Sequence, residues 1–439
     1  MHRIRCATVG RWILSRLLNI KTLAKNPFAG AQGLTPLLLV LCSLLAACTP
    51  SAAPTTESQA AWGPALTIAQ AEQVNAPALW VANDRVTTAW VGADATGVHQ
   101  DIRLLTPGGL SATAVLPLPP VYPYDQTIYP GQLNYTHFLW LDAAESGENR
   151  LYNALITPDL TVERGPTTLS TAHTLRYTAL TAADGGLQIV WSGGLLAETA
   201  LYYQTIDVAG RPGTPLELTL NADWPSLTRA NDGTRYLVWL RPTDNRLFYA
   251  VLTETGLTQI SEIATLSHIE PDTRLFNVQI ALDATHLYVF WNTVNSTGEA
   301  QTWLTSREIT GAVWSSPAAV GLDLTAAENR LPFETGFNTG SAQVIEAGTE
   351  PVSWLTALSG QNAVLPAAAQ VGADVALLYF QGGEIRAYQP ITPAGLIGLP
   401  GLAVDQDRYL YLAWSQPGTL QADLRLTSLR LAGWLPPAD

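Results

Sequence analysis

The chain has 439 residues, of which 47% are hydrophobic and 13% charged. That composition buries a large core and excludes compositional disorder, and the length exceeds one ordinary compact domain unless the fold is repetitive. Both lysines (Lys21, Lys25) and four of the arginines fall in the first 47 residues, so the remainder sets 17 Arg against 36 acids, a net charge of −19. An acidic body without lysine argues against nucleic acid as a partner, because phosphate contacts need basic side chains.

The first element in chain order is an address. Residues 1–33 carry scattered positive charge, and residues 37–47 (LLLVLCSLLAA) form an apolar run. The run suits a secretory h-region and is too short to span a bilayer as a helix. It ends in Leu45-Ala46-Ala47-Cys48, which resembles the bacterial lipoprotein box, small residues before a cysteine that is diacylated and exposed by cleavage. The resemblance implies a signal peptide over 1–47 and lipidation at Cys48. It places the protein in the cell envelope, lipid-anchored on the outer side of a bacterial membrane. Cys6 and Cys42 fall in the removed part, leaving the body without a thiol or disulfide. Residues 48–61 (CTPSAAPTTESQAA) read as a flexible tether.

The body, 62–439, repeats one motif about seven times: an apolar strand ending in an aromatic. The copies are 86–90 (VTTAW), 136–140 (THFLW), 187–191 (LQIVW), 236–239 (YLVW), 287–291 (LYVFW), 376–380 (ALLYF) and 409–414 (YLYLAW). The first five are spaced by 50, 51, 48 and 52 residues; 89 then separate Trp291 from Phe380, and 34 separate Phe380 from Trp414. Asp184, Asp232 and Asp407 each precede their Trp by seven, as turn residues. Runs such as Tyr-Leu-Val-Trp have no polar alternation, so both faces are expected to be buried between similar sheets. Radial repetition of short sheets satisfies that requirement.

The fold read from this pattern is all-β: a seven-bladed β-propeller of four-stranded antiparallel blades. The blades fall near 76–119, 128–169, 172–222, 224–267, 275–322, 362–399 and 400–439. Residues 62–69 (WGPALTIA) have no blade of their own and are expected to complete the last sheet, closing the ring. Residues 323–361 do not fit the repeat and read as an insertion or, in an eight-bladed alternative, a degenerate blade.

These blades resemble bacterial sialidase-like, exo-α-sialidase-type propellers of surface lipoproteins. The resemblance is architectural: the Asp box Ser-x-Asp-x-Gly-x-Thr-Trp is absent, and the Asp-to-Trp spacing here is seven. No local motif assigns the arginine cluster, Tyr/Glu pair and acidic donor that sialidase chemistry needs, and fold alone does not confer activity. The histidines form no HxH or HExxH pair, and no Gly-x-Ser-x-Gly elbow or phosphate loop occurs. No metal or cofactor is called for.

Binding residues favour loops gathered at one mouth of the ring. Four stretches entering inner strands bring aromatics beside acids: Tyr122, Tyr124, Asp125 and Tyr129; Asp223 and Trp224; Glu270, Asp272 and Arg274; Phe333, Glu334, Phe337 and Asn338. Such a lining suits a carbohydrate or a cationic ligand. The sequence alone favours a membrane-tethered, non-catalytic module that binds a ligand or protein. A glycan-active enzyme of sialidase or glycosidase type using channel carboxylates, and a scaffold for an envelope protein complex, are the alternatives.

Overall fold

The computed structural model describes residues 65–74, 77–82, 85–118, 123–143, 147–170, 173–195, 198–265, 273–322, 350–358, 365–371, 374–391, 397–405, 409–418 and 422–430. All belong to one unit, 59–439. Cys48, Tyr122, Glu270, Asp272, Phe333, Glu334, Phe337 and Asn338 lie outside the described residues.

The fold is all-β, with seven antiparallel sheets as blades. Written from inner to outer strand, blade 1 is Ala78–Ala82, Arg85–Asp94, Gly97–Thr106 and Ala114–Leu116. Blade 2 is Pro123–Pro130, Thr136–Ala143, Asn149–Ile156 and Val162–Thr168. Blade 3 is Thr174–Thr181, Leu187–Gly193, Ala200–Ile206 and Leu216–Leu220. Blade 4 is Asp223–Arg229, Arg235–Arg241, Arg246–Thr253 and Gly256–Thr265. Blade 5 is Arg274–Leu282, His286–Val294, Ala300–Glu308 and the short Ala318–Ala319. Blade 6 is Glu350–Ala357, Leu365–Val371, Asp374–Gln381 and Glu384–Ile391, with Gly321–Leu322 paired to its inner edge. Blade 7 is Ile397–Asp405, Tyr409–Pro417, Ala422–Arg430 and Leu66–Ala71.

The second strands carry the core. Trp90, Trp140, Trp191, Trp239, Trp291 and Trp414 are all buried. Their strands are apolar on both faces because each blade is covered by a neighbour on each side. Val190, Leu201 and Tyr203 of blade 3, for example, pack with Leu227, Leu237, Trp239 and Ala250 of blade 4. The hairpin turns use their acids as the sequence implies: Asp184 Oδ1 accepts from Gly186 N at 3.0 Å, and Asp232 Oδ1 from Thr234 N at 2.8 Å. Such Asx turns replace backbone bonds that a tight reversal cannot make.

The last sheet is completed from the N-terminal side. Leu66 pairs with Leu426 and Ala71 with Ala422, so one blade holds strands from both ends of the propeller. Arg103 of blade 1 donates to Ile68 O, tying the closing strand to the next blade as well.

Blade 6 differs from its sequence reading. Its inner strand, Glu350–Ala357, comes from the stretch read as an insertion, and 376–380 (ALLYF) lies on the third strand. The reason is burial. The second and third strands of this blade both carry buried apolar runs, Leu365 to Ala369 and Ala376 to Phe380, so an aromatic-ended run does not mark the second strand here. The displacement accounts for only part of the long interval of 89 residues; most of the excess over the other intervals is the chain between Leu322 and Glu350.

Candidate functional site

In each blade the inner strand starts, and the second strand ends, on the same side of the ring. That side is termed the mouth. Inner strands of blades 2, 4 and 5 share a local device there. In each, two residues face the single buried Trp of the second strand: Asp125-Gln126 against Trp140, Trp224-Pro225 against Trp239, and Asn277-Val278 against Trp291. The first residue of each pair has positive φ: Asp125 at 48°, Trp224 at 53° and Asn277 at 50°. A bulge of this kind re-aims a side chain, and positive φ on a bulky Trp is a strained state that persists only when surroundings enforce it.

The surroundings are visible. Arg176, two residues into the inner strand of blade 3, places its guanidinium carbon 3.5 Å from the Trp224 ring centroid and donates to Asp223 Oδ2 at 2.9 Å. Asp223 Oδ1 accepts from Ser192 Oγ at 2.6 Å and from Trp224 N at 2.7 Å. Trp224 is thus clamped between a stacked cation and its own backbone bond. The aromatic lining continues around the ring. Phe276 lies 6.1 Å from Trp224, and Trp354 of blade 6 lies 5.6 Å from Phe276, all three partly exposed. Behind them Asn277 donates to Asn292 Oδ1 at 2.7 Å, Asn292 to Ser353 O at 2.8 Å, and Gln279 to Leu355 O at 2.6 Å, fixing blade 5 to blade 6.

On the inner strand of blade 2 stand Tyr124 and Asp125. The Tyr177 hydroxyl donates to Asp125 O, which holds the bulge backbone against blade 3. The Asp125 side chain is exposed. Desolvation by the surrounding protein raises its carboxyl above the ordinary carboxylate value, and the positive charge of Arg176 offsets part of that rise. The Tyr124 phenol is also raised, first by enclosure and then by the negative charges of Asp125 and Asp142, with Arg176 opposing. The mouth therefore joins a carboxyl and a phenol to one arginine field.

Of the residues expected from sequence, Tyr124, Asp125, Asp223, Trp224 and Arg274 lie at this mouth; Arg274 opens the inner strand of blade 5 and is exposed. Tyr129 does not. It pairs with His137 near the far end of its strand and packs with the apolar cluster between blades 2 and 3, where burial pushes its phenol up to about 12. Arg176, Phe276 and Trp354 were not singled out in the sequence. Arg176 follows Thr174-Leu175 at a strand start with no acid or aromatic run before it, and Phe276 and Trp354 sit in otherwise unremarkable inner strands. The spacing of inner-strand starts was the signal that could have found them. Among the described residues no group of three His, Cys, Asp or Glu side chains is placed to hold a metal ion.

No family model matches the chain, and no curated relative matches it. Among solved structures it is similar to the polysaccharide lyase Uly1, with a TM-score of 0.54 and 11% identity over 87% of this chain and 94% of that one. It is also similar to a PL25 ulvan lyase bound to -[GlcA(1-4)Rha3S]-, with a TM-score of 0.52 and 10% identity over 83% of this chain and 95% of that one. At this identity the likeness is one of fold: the body of the chain is a seven-bladed propeller of the architecture found in these lyases.

Proposed function

We propose that the chain is a glycan-active enzyme whose propeller mouth takes an acidic polysaccharide and cleaves it by elimination. The observation that carries this reading is Asp125. It is a carboxyl raised by desolvation, held on a positive-φ bulge at the mouth, next to a raised phenol and within the field of Arg176.

Elimination beside a uronate carboxylate has three requirements: a cation to stabilise charge developing on that carboxylate, a base for the proton on the adjacent carbon, and a donor for the leaving oxygen. Arg176 and Arg274 supply the cations, and Asp125, whose carboxyl is raised by burial, supplies the base. Tyr124, held neutral by its raised value, supplies the donor. Trp224, Phe276 and Trp354 give sugar rings apolar faces to lie on. A hydrolytic double-carboxylate mechanism is less well supported. Among the described residues the second mouth acid expected from sequence is Asp223, which uses both oxygens on Arg176, Ser192 and its neighbouring backbone. The likeness in fold to lyases acting on acidic polysaccharide agrees with the reading.

The test incubates the protein with a panel of uronate-containing and neutral polysaccharides and follows both ultraviolet absorbance of the conjugated product and new reducing ends. Elimination gives both signals on acidic glycans. Reducing ends without absorbance mean hydrolysis, and retention without turnover in affinity electrophoresis means a binding module; either outcome rejects the reading. We further infer from the Leu45–Cys48 box that the enzyme is exported and tethered by lipid at Cys48, which metabolic labelling with a fatty-acid probe, lost in Cys48→Ala, tests directly.

A further inference from the structure

Blade 3 holds two bulges of the mouth through three successive residues of its inner strand. Side chains alternate along a strand, so Arg176 and Thr178 reach blade 4 while Tyr177, between them, reaches blade 2. Arg176 stacks on Trp224 and pairs with Asp223, and Thr178 Oγ accepts from Leu227 N at 3.4 Å, just past the Trp224-Pro225 bulge. Tyr177 crosses the other seam. Its ring packs with Tyr124 and Tyr129 against the apolar cluster between blades 2 and 3, and its hydroxyl sits at the Asp125-Gln126 bulge.

Every polar contact of that hydroxyl lies at the bulge. It donates to Asp125 O, and it stands 3.0 Å from Thr127 Oγ and 3.2 Å from Leu139 O, the residue paired with Thr127 across the ladder. A phenol has one proton and can also accept, so the Thr127 hydroxyl donates to it while it donates to Asp125 O. A bulge breaks ladder pairing, and Asp125 holds a φ of 48°, a state that a non-glycine residue keeps only where its surroundings enforce it. The phenol is well above the ordinary tyrosine value, first through burial and then through the charge of Asp125, so it stays a donor across the working pH range.

We propose that Tyr177 is a positioning residue, its hydroxyl fixing the bulge that aims the Asp125 carboxyl. Thr178 does the same for Trp224 from the other side of the strand, so one inner strand sets both the base and the aromatic platform. The role of Asp125 as a base rests on the elimination reading; the aiming of its side chain does not.

Tyr177→Phe removes one hydroxyl and keeps the ring; Thr178→Val removes the hydroxyl on the blade 4 side. In the full chain acting on a uronate polysaccharide, Tyr177→Phe should lower kcat at least about tenfold with KM within about twofold, the mark of a misplaced proton-transfer group. Thr178→Val, which loosens Trp224, should instead raise KM. Adding Tyr177→Phe to Asp125→Asn should cost nothing further. A second readout needs no turnover: titration of the Asp125 carboxyl by carbon-13 NMR, assigned with Asp125→Asn. The titratable and charged groups facing Asp125 are Arg176 and Tyr177 of blade 3 and Tyr124 and Tyr129 of its own strand. Released from the bulge, the carboxyl gains water, so its proton affinity should fall at least about threefold in Tyr177→Phe and hold in Thr178→Val. Thr127→Val, which removes the donor to Tyr177, should give a smaller fall and serves if Tyr177→Phe does not fold. An Asp125 titration unmoved in both Tyr177→Phe and Thr127→Val, or a Tyr177→Phe loss that persists in full beside Asp125→Asn, overturns the proposal. A parent chain that gives no unsaturated product while the titration moves as stated rejects elimination and still supports the aiming of Asp125 by Tyr177.

Discussion

Removing the closing strand is the perturbation whose size follows most directly from the structure. Deleting 65–71 takes away buried Ile68 and Ala71 from a cluster that includes Leu79, Val81, Trp90, Ala413 and Leu424. It also removes the bonds from Arg103 to Ile68 O, Gln70 to Asp423, and Arg425 to Thr67 and to Ala65 O. Burying one large aliphatic side chain contributes about 1.5–3 kcal/mol. Four hydrogen bonds at about 0.5–1.5 kcal/mol each bring the loss to about 4–9 kcal/mol. That is comparable with the whole stability of a typical domain. The deletion also leaves Ala422–Arg430 as an open edge, which invites pairing between chains. Differential scanning calorimetry and size-exclusion chromatography should therefore show a strongly lowered transition, association, or both. Ile68→Ala gives a graded version, with an expected cost of about 2–5 kcal/mol. A truncated chain that stays monomeric and melts with the intact protein would refute the claim that this strand locks the ring.

Three further outcomes follow from the mouth and the core. Asp125→Asn should lower turnover of an acidic polysaccharide about 10²–10⁴-fold, the range of a lost proton-transfer group, while leaving the far-ultraviolet spectrum intact. The same variant should melt higher than the parent at neutral pH. A carboxyl whose value is raised on folding binds its proton more tightly in the native state, so its cost to stability appears as pH rises above the unfolded value and is absent below it. The melting difference should shrink as pH falls toward the ordinary carboxylate range near ~4, and a difference that grows instead contradicts the assignment. Trp239→Ala should destabilise blade 4 by about 3–5 kcal/mol in urea unfolding, because the indole is buried and stacked 5.6 Å from Phe248; a change within about 0.5 kcal/mol would place it outside the core.

The repeat was legible because the second strands are buried on both faces, a condition that in six of the seven blades writes itself into sequence as a largely apolar run ending in Trp. Ring closure was legible because 62–69 formed a strand pattern without a sheet. Blade 6 was not legible in full. Its Leu365–Val371 strand reads LPAAAQV, too small in side chains to stand out, while the neighbouring third strand carries the bulky run. Tyr124, Asp125 and Trp224 were expected from aromatics beside acids, and they lie on the inner strands of blades 2 and 4. Arg176 was missed because its partners, Asp223 and Trp224, lie 47 and 48 residues away and meet it only across the seam between blades. The bulges at Asp125, Trp224 and Asn277 carry no shared residue type, so the backbone device they share has no sequence signature.

We propose that the mouth performs elimination on a uronate glycan. It is tested most directly by offering the protein one uronate polysaccharide in two forms, native and with its carboxyl groups chemically reduced. Elimination needs the carboxylate to acidify the adjacent carbon, so the account predicts conjugated, unsaturated product from the native polymer and none from the reduced one. Equal cleavage of both forms, or saturated products from either, would contradict it.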